Sequence, residues 1–217
     1  QGAEAAAHAA RCYVSNLGPG QALLKIDFTN AFNTVSRDEV YRSAEEYVPE
    51  LLPFINVCYG KPSFLCYGDH DKSEQGLQQG DPLGPMCYCT ATQKLIARLG
   101  VEYSQWYLDD GALGGGVEEL INAFQTLRTD AAKIGLQINE KKCELITNDN
   151  AVIQRFRAVA PDIIVVEVHT AVLLGAPVGG HQSVEHVLES KFAELKRLSS
   201  RLKQLNAHDA FFSVTEL

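Results

Sequence analysis

The sequence predicts an α+β domain in which helices pack against an antiparallel sheet. Short apolar runs with strand character lie at residues 22–28, 63–67, 101–108 and 142–147, and longer segments separate them. The chain of 217 residues, 46% hydrophobic and 21% charged, is long enough to bury a sizeable core. This alternation of strands and helices favours an α+β fold, and the length suits either one sizeable domain or a domain with an appendage.

The separating segments have the spacing of amphipathic helices. Helices are expected at residues 37–47, 83–99 and 117–134, with an alanine-rich helix over residues 1–11 and a helix with a basic side over 184–205. The segment 117–134 shows the pattern most clearly, because its apolar residues recur every three or four positions. These residues are Leu120, Ile121, Phe124, Leu127, Ala131 and Ile134.

Two adjacent carboxylates, Asp109 and Asp110, follow the strand-like run 101–108 and precede the glycine-rich segment 111–116. This order predicts a hairpin that presents both side chains at its tip. Neighbouring carboxylates repel each other, and a bound divalent cation relieves that repulsion. The alternative interpretation is an ordinary Asp-Asp-Gly turn, since these residues are common turn formers.

A third carboxylate, Asp27, stands where the strand-like run 22–28 ends. It could simply terminate a strand or cap a helix. A ferredoxin-like arrangement, with helices on one sheet face and the other face left to nucleic acid, would place Asp27 beside the hairpin. Three carboxylates there would suit two Mg²⁺ ions, with Mn²⁺ as the alternative. Two such ions support nucleotidyl transfer by in-line displacement.

Five sequence blocks, in their order along the chain, resemble the palm domain of reverse transcriptases, especially those of non-LTR retrotransposons. The blocks are KIDFTNAFN at 25–33, QGLQQGDPLGP at 75–85, YLDD at 107–110, GLQINEKKCE at 135–144 and LLGAPVG at 173–179. Together they span most of the chain between residues 23 and 179. The resemblance implies a polymerase palm with Asp27, Asp109 and Asp110 as the catalytic, metal-binding carboxylates.

The resemblance also implies a set of nucleotide-binding residues. Phe32 matches an aromatic position under the sugar of the incoming nucleotide, where a bulky ring excludes a 2′-hydroxyl. Gln79 and Gly80 match a loop that positions nucleotide and template, and Asp81-Pro82 after them is expected to open a helix. Gly84 departs from the Ser that related elements often carry. The remaining residues of the set are Phe28, Tyr107 and Lys142, with Lys141 as an alternative to Lys142.

The resemblance divides the chain into three regions: a helix from the fingers–palm junction at 1–20, the palm at 21–148, and a palm-end hairpin with the start of a thumb at 149–217. The implied partners are an RNA template, a DNA primer and dNTPs. The net charge of −8 is the wrong sign for a self-sufficient nucleic-acid binder. We therefore expect a fragment of a larger polyprotein that supplies fingers, the rest of the thumb and an endonuclease.

The alternative function is a catalytically inactive, retroelement-derived domain that binds nucleic acid or serves as a scaffold. Six cysteines show neither Cys-x-x-Cys pairs nor histidines at zinc spacing, which argues against a zinc site. No run is long and apolar enough to span a membrane, and residues 1–20 lack a secretory signal pattern. The sequence thus predicts reduced thiols and a location in the nucleus or cytoplasm.

Overall fold

The computed structural model describes residues 2–64 and 72–204. The helices are α1 Gly2–Ser15, α2 Ala31–Thr34, α3 Arg37–Tyr47, α4 Leu52–Tyr59, α5 Gly84–Ile96, α6 Val117–Lys133, α7 Asn150–Arg157 and α8 His181–Leu202. The strands are β1 Gln21–Ile26, β2 Ser63–Phe64, β3 Lys72–Ser73, β4 Tyr103–Tyr107, β5 Asp110–Gly116, β6 Glu144–Ile146, β7 Ile164–Val166, β8 Val172–Leu173 and β9 Ala176–Pro177. The predicted helix at 37–47 and the predicted α+β class are confirmed, while residues 65–67 of one predicted strand lie outside the described residues.

Five strands form the main sheet in the order β4-β5-β1-β6-β7. The pairs β4·β5, β5·β1 and β1·β6 are antiparallel, and β6·β7 is parallel. The parallel pair requires a crossover, which α7 provides between β6 and β7. Neither α7 nor β7 was among the predicted elements, although β7 belongs to this sheet and α7 connects it to β6. Because β7 lies in this sheet, residues on both sides of 148/149 share one core, and the division into three regions stays a prediction.

The two faces of the sheet bury different clusters. Leu24 of β1 and Leu113 of β5 face the main core, which includes residues of α3, α5 and α6. Leu23 and Ala112 face the second cluster, with residues of α1 and of the β8-β9 hairpin. The sequence led us to expect that this second face would be left to nucleic acid. Instead, residues of α1 and of the β8-β9 hairpin pack against it. Among the described helices, none has the length and apolar character required to cross a membrane.

Candidate active site

The hairpin that carries the paired carboxylates is tighter than the sequence predicts. Tyr107 pairs with Asp110 at the end of the ladder, so the loop consists of Leu108 and Asp109 alone. Leu108 has a φ of 56°, in the left-handed region that the first residue of such a loop requires. Asp109 therefore occupies the tip. Asp110 begins β5, where successive side chains alternate between the two faces of the sheet.

Asp27 is held beside this hairpin by two neighbouring segments. Ile26 pairs with Gly111, and continuing the antiparallel register by one residue places Asp27 opposite Asp110. On the other side, the Asn139 amide donates to the Asp27 carbonyl oxygen at 2.8 Å, and the Asp27 amide donates to Cys143 Sγ at 3.5 Å. Burial raises the pKa of the Cys143 thiol to about 11, so it stays neutral at physiological pH. The sheet thus brings Asp27 and Asp110 together, as predicted.

Two clefts meet at the hairpin. The first, here called the Phe32 cleft, has a volume of about 420 Å³ and is lined by Phe32, Gln78, Gln79, Gly80, Asp81, Pro85 and Asp109. The second, here called the Asp27 cleft, has a volume of about 280 Å³ and is lined by Lys25, Ile26, Asp27, Asp110, Lys142, Glu144 and Ile164. Asp109 and Asp110 therefore line different clefts, because Asp109 stands in the loop at the hairpin tip, whereas Asp110 is the first residue of β5.

The Phe32 cleft contains three predicted nucleotide-binding residues and one predicted metal ligand. Its floor is fixed because the Leu77 amide donates to the Phe32 carbonyl at 2.6 Å and the Gly76 amide donates to the Val35 carbonyl at 3.1 Å. A Cβ atom at Gly76, where φ is +70°, would lie 2.3 Å from the Asn33 carbonyl oxygen. Only glycine allows the two segments to approach this closely.

The outer wall of the Phe32 cleft depends on Asp81. Its carboxylate accepts hydrogen bonds from the Tyr59 hydroxyl and, at 2.9 Å, from the Leu83 amide. The Gln78 amide in turn donates to the Tyr59 hydroxyl at 3.3 Å. The prediction that Asp81 and Pro82 open the helix is wrong. Helix α5 begins at Gly84, and Pro85 is the proline of its first turn.

Phe28 and Tyr107 line neither cleft. Phe28 is 6% exposed and its ring stacks on Trp106 with 6.2 Å between centroids, so its side chain belongs to the core. Tyr107 is 44% exposed on β4. The structure thus separates these two side chains from Phe32, Gln79 and Gly80, and any contact between Phe28 and a nucleotide is confined to its backbone.

The carboxylates of Asp27 and Asp110 are held in an environment that disfavours their charge. Burial raises the pKa of Asp27, Lys142 opposes this shift, and Asp109 reinforces it. The surrounding protein also removes water from the Asp110 carboxyl and raises its pKa, and repulsion from Asp109 and then from Asp27 adds to the shift, while Lys25 opposes it. A divalent cation would relieve this repulsion.

The donor set fits Mg²⁺. The Oδ1 atom of Asp27 is buried and accepts no hydrogen bond from the described residues, so this carboxylate oxygen is a candidate ligand atom. The described part of the chain contains no group of three His, Cys, Asp or Glu side chains placed to hold a metal ion. Mg²⁺ does not require one, because it binds through one or two carboxylates and keeps water or substrate phosphates as its other ligands.

Sequence reasoning missed several residues of the site. Tyr59, Cys143 and Tyr88 come from segments whose apolar character indicates only a buried position, and all three are buried. The ring of Tyr88 stacks on Phe32 with 4.8 Å between centroids and 11° between planes. Asp81 could have been named from the sequence, since it directly follows Gln79 and Gly80. Its hydrogen-bond partner Tyr59 could not, because it lies on α4, distant in sequence.

The structure thus combines an α+β fold with a carboxylate hairpin beside the Phe32 cleft. The profile of the family described as reverse transcriptase (RNA-dependent DNA polymerase) matches residues 3–178 of the 217. The chain therefore belongs to the reverse transcriptase family and is a member of the RNA-directed DNA polymerases.

Solved structures similar to the chain include two telomerases, each in complex with a TWJ fragment of telomeric RNA. The telomerase from Candida albicans is 13% identical, with a TM-score of 0.49 over 67% of this chain and 30% of the telomerase chain. The one from Candida tropicalis is 14% identical, with a TM-score of 0.46 over 68% and 29%. The chain thus spans less than a third of these telomerase chains. A comparison with curated proteins found no match.

Proposed function

We propose that this chain is the palm of a non-LTR retrotransposon reverse transcriptase, which extends a primer 3′-hydroxyl on an RNA template by nucleotidyl transfer. The observation that carries the proposal is the composition of the Phe32 cleft, where Phe32, Gln79 and Gly80 meet Asp109. The retrotransposon origin rests on the order and content of the five sequence blocks.

Asp27, Asp109 and Asp110 are the residues proposed to hold two Mg²⁺ ions, or Mn²⁺ in their place. Bound there, the ions would supply charge neutralisation for the attacking hydroxyl, the transferred phosphoryl group and the leaving pyrophosphate. Asp27 directly follows β1, Asp110 begins the neighbouring strand β5, and Asp109 lies in the loop between β4 and β5, so the sheet positions the ligands.

The other cleft residues bind and select the nucleotide. The Phe32 ring lines the cleft and would clash with a 2′-hydroxyl, which favours dNTPs over NTPs. The Gln79 side chain offers a donor and an acceptor, and Gly80, at φ +89° with open space where a Cβ would stand, lets the backbone approach a ligand closely. Lys142 lines the Asp27 cleft as a cation available to phosphate or for proton donation to the leaving group.

The proposed partners are an RNA template, a DNA primer and dNTPs, with fingers, a complete thumb and an endonuclease contributed by a larger polyprotein in the nucleus or cytoplasm. With a net charge of −8, the chain alone should bind primer-template weakly and in a salt-sensitive manner. The helix α8 carries Lys191, Lys196, Arg197 and Arg201 on an exposed surface, which suits the beginning of a thumb.

The test is Mg²⁺-dependent extension of a DNA primer on an RNA template by this chain and by a longer polypeptide extended upstream through the fingers. Asp109→Asn should abolish extension while the fold is retained, and Asp130→Asn, which makes the same charge change on α6, should not. Activity of the longer polypeptide alone would identify this chain as its palm. No extension by either would refute the polymerase proposal and favour an inactive descendant.

A further inference from the structure

Tyr88 of α5 has a buried hydroxyl group without a partner. The residue is 1% exposed, and its hydroxyl oxygen makes no hydrogen bond to the described residues. Buried tyrosine hydroxyls usually find a partner, because an unpaired polar atom loses its hydration without compensation. A phenylalanine would fill the same space without this loss, so the hydroxyl calls for an explanation.

The ring of Tyr88 supports the Phe32 cleft from behind. It lies nearly parallel to the Phe32 ring, at 11° with 4.8 Å between centroids. Phe32 and Asp109 both line that cleft. Tyr88 is therefore placed next to the residue proposed to exclude the 2′-hydroxyl and close to one of the proposed metal ligands.

Asp109 is the candidate partner, because it lines the same cleft as Phe32, on whose ring Tyr88 stacks. Burial raises the pKa of Tyr88, and among the surrounding charges Asp109 adds most to this shift, while Cys89 and Asp110 contribute less. A phenol without a partner among the described residues and a carboxylate that lines the adjoining cleft are a matched donor and acceptor. Tyr103 differs from Tyr88 in its surroundings. Its hydroxyl is also buried and makes no hydrogen bond to the described residues, but its ring stacks on Tyr13 of α1.

We propose that Tyr88 is a positioning residue whose hydroxyl donates a hydrogen bond to Asp109, directly or through one water, when the carboxylates hold divalent ions. The ring keeps Phe32 in place, and the hydroxyl orients the carboxylate that binds metal. One side chain thereby fixes the distance between the selectivity residue and the metal ligand. The inference rests on the proposed function, because it requires that Asp109 bind a divalent ion.

The test uses Mn²⁺ titration of the full chain, in which electron paramagnetic resonance measures free Mn²⁺ directly and no polymerase activity is required. Tyr88→Phe should weaken Mn²⁺ binding about three- to tenfold, the range expected for one hydrogen bond. Its thermal midpoint should stay unchanged or rise, because the variant removes an unpaired buried polar atom. Tyr103→Phe, which removes another buried hydroxyl that has no partner among the described residues, should bind Mn²⁺ as the original chain does.

A double-mutant cycle separates orientation of Asp109 from general packing. In an Asp109→Asn background, Tyr88→Phe should produce no further loss of Mn²⁺ affinity. Equal affinity of Tyr88→Phe and the original chain would overturn the inference while leaving the metal site intact, and so would an equal loss in Tyr103→Phe. Failure of the original chain to bind Mn²⁺ would refute the proposed metal site together with this inference.

Discussion

Lys25 forms an ion pair with Glu144 across neighbouring strands, with 2.9 Å between Nζ and the carboxylate oxygen. The two residues are partners in the β1·β6 register and both line the Asp27 cleft. Burial raises the pKa of Asp27 and of Asp110, and the positive charge of Lys25 opposes both shifts. Glu144 therefore holds a cation that would otherwise compete with metal for the same ligands.

Glu144→Gln should consequently weaken divalent-metal binding. The released Lys25 ammonium would turn toward Asp27 and Asp110, and we expect Mn²⁺ affinity to fall about two- to fivefold. The control is Glu118→Gln, which removes one negative charge from the exposed Glu118–Arg155 ion pair between α6 and α7. Isothermal titration with Mn²⁺ measures both variants, and equal affinities would show that Glu144 does not restrain Lys25.

Phe32→Ala should relax the discrimination between dNTPs and NTPs. In the active, longer polypeptide we expect the ratio of kcat/KM for dNTP over NTP to drop, mainly through faster NTP incorporation, because the ring no longer fills the space beside the 2′-carbon. Phe28→Leu is the control, since Phe28 is buried against Trp106 and lines neither cleft. An unchanged ratio in Phe32→Ala would remove Phe32 from the selectivity role.

Local sequence signals were sufficient for much of the fold. The helix α3 was placed at 37–47 because polar punctuation precedes an amphipathic pattern, and the hairpin was placed because a glycine-rich segment follows the paired carboxylates. Local signals did not predict β7, which is only three residues long. They also did not predict α7, the crossover helix that allows β7 to pair in parallel with β6. So short a run has no readable periodicity.

The candidate residues of the site could be named from the sequence, but their arrangement could not. The acidic and aromatic residues could be named from their motifs, whereas the separation of Asp109 and Asp110 into two clefts depends on where the turn ends. The two-residue loop places Asp110 in β5 and leaves Asp109 at the tip. The Tyr88–Phe32 contact joins two elements distant in sequence, and burial alone gives no sign of which residues meet.

Gly76 and Gly80 should respond differently to alanine. Both have positive φ, at +70° and +89°, but a Cβ at Gly76 would strike the Asn33 carbonyl oxygen, whereas nothing lies within 4 Å at Gly80. We expect Gly80→Ala to cost about 1 kcal/mol of unfolding free energy and Gly76→Ala about 3 kcal/mol. Urea unfolding of both variants measures the difference, and equal costs would mean that the Asn33 contact is easily relieved.

Asp149 should make the stability of the chain depend on acidity. Its carboxylate accepts hydrogen bonds from the Gly20 amide at 3.0 Å and from the Ala151 amide at 2.8 Å, and so connects the start of β1 with the cap of α7. The hydrogen bond from Gly20, and to a smaller extent the one from Ala151, lowers the pKa of Asp149. A lowered folded-state pKa gives stability that is fully present above the ordinary aspartate pKa and is lost as the pH falls through the lowered value.

Asp149→Ala should therefore reduce the thermal midpoint at neutral pH, and the difference from the original chain should shrink in acid below the ordinary aspartate pKa. Asp149→Asn should fall between them, because an amide retains one acceptor oxygen and can serve only one of the two backbone donors. Asp162→Asn, an exposed residue before β7, is the control for loss of one charge. Thermal unfolding followed by circular dichroism across a pH series measures all three, and a difference that persists unchanged in acid would show that the carboxylate charge does not strengthen these hydrogen bonds.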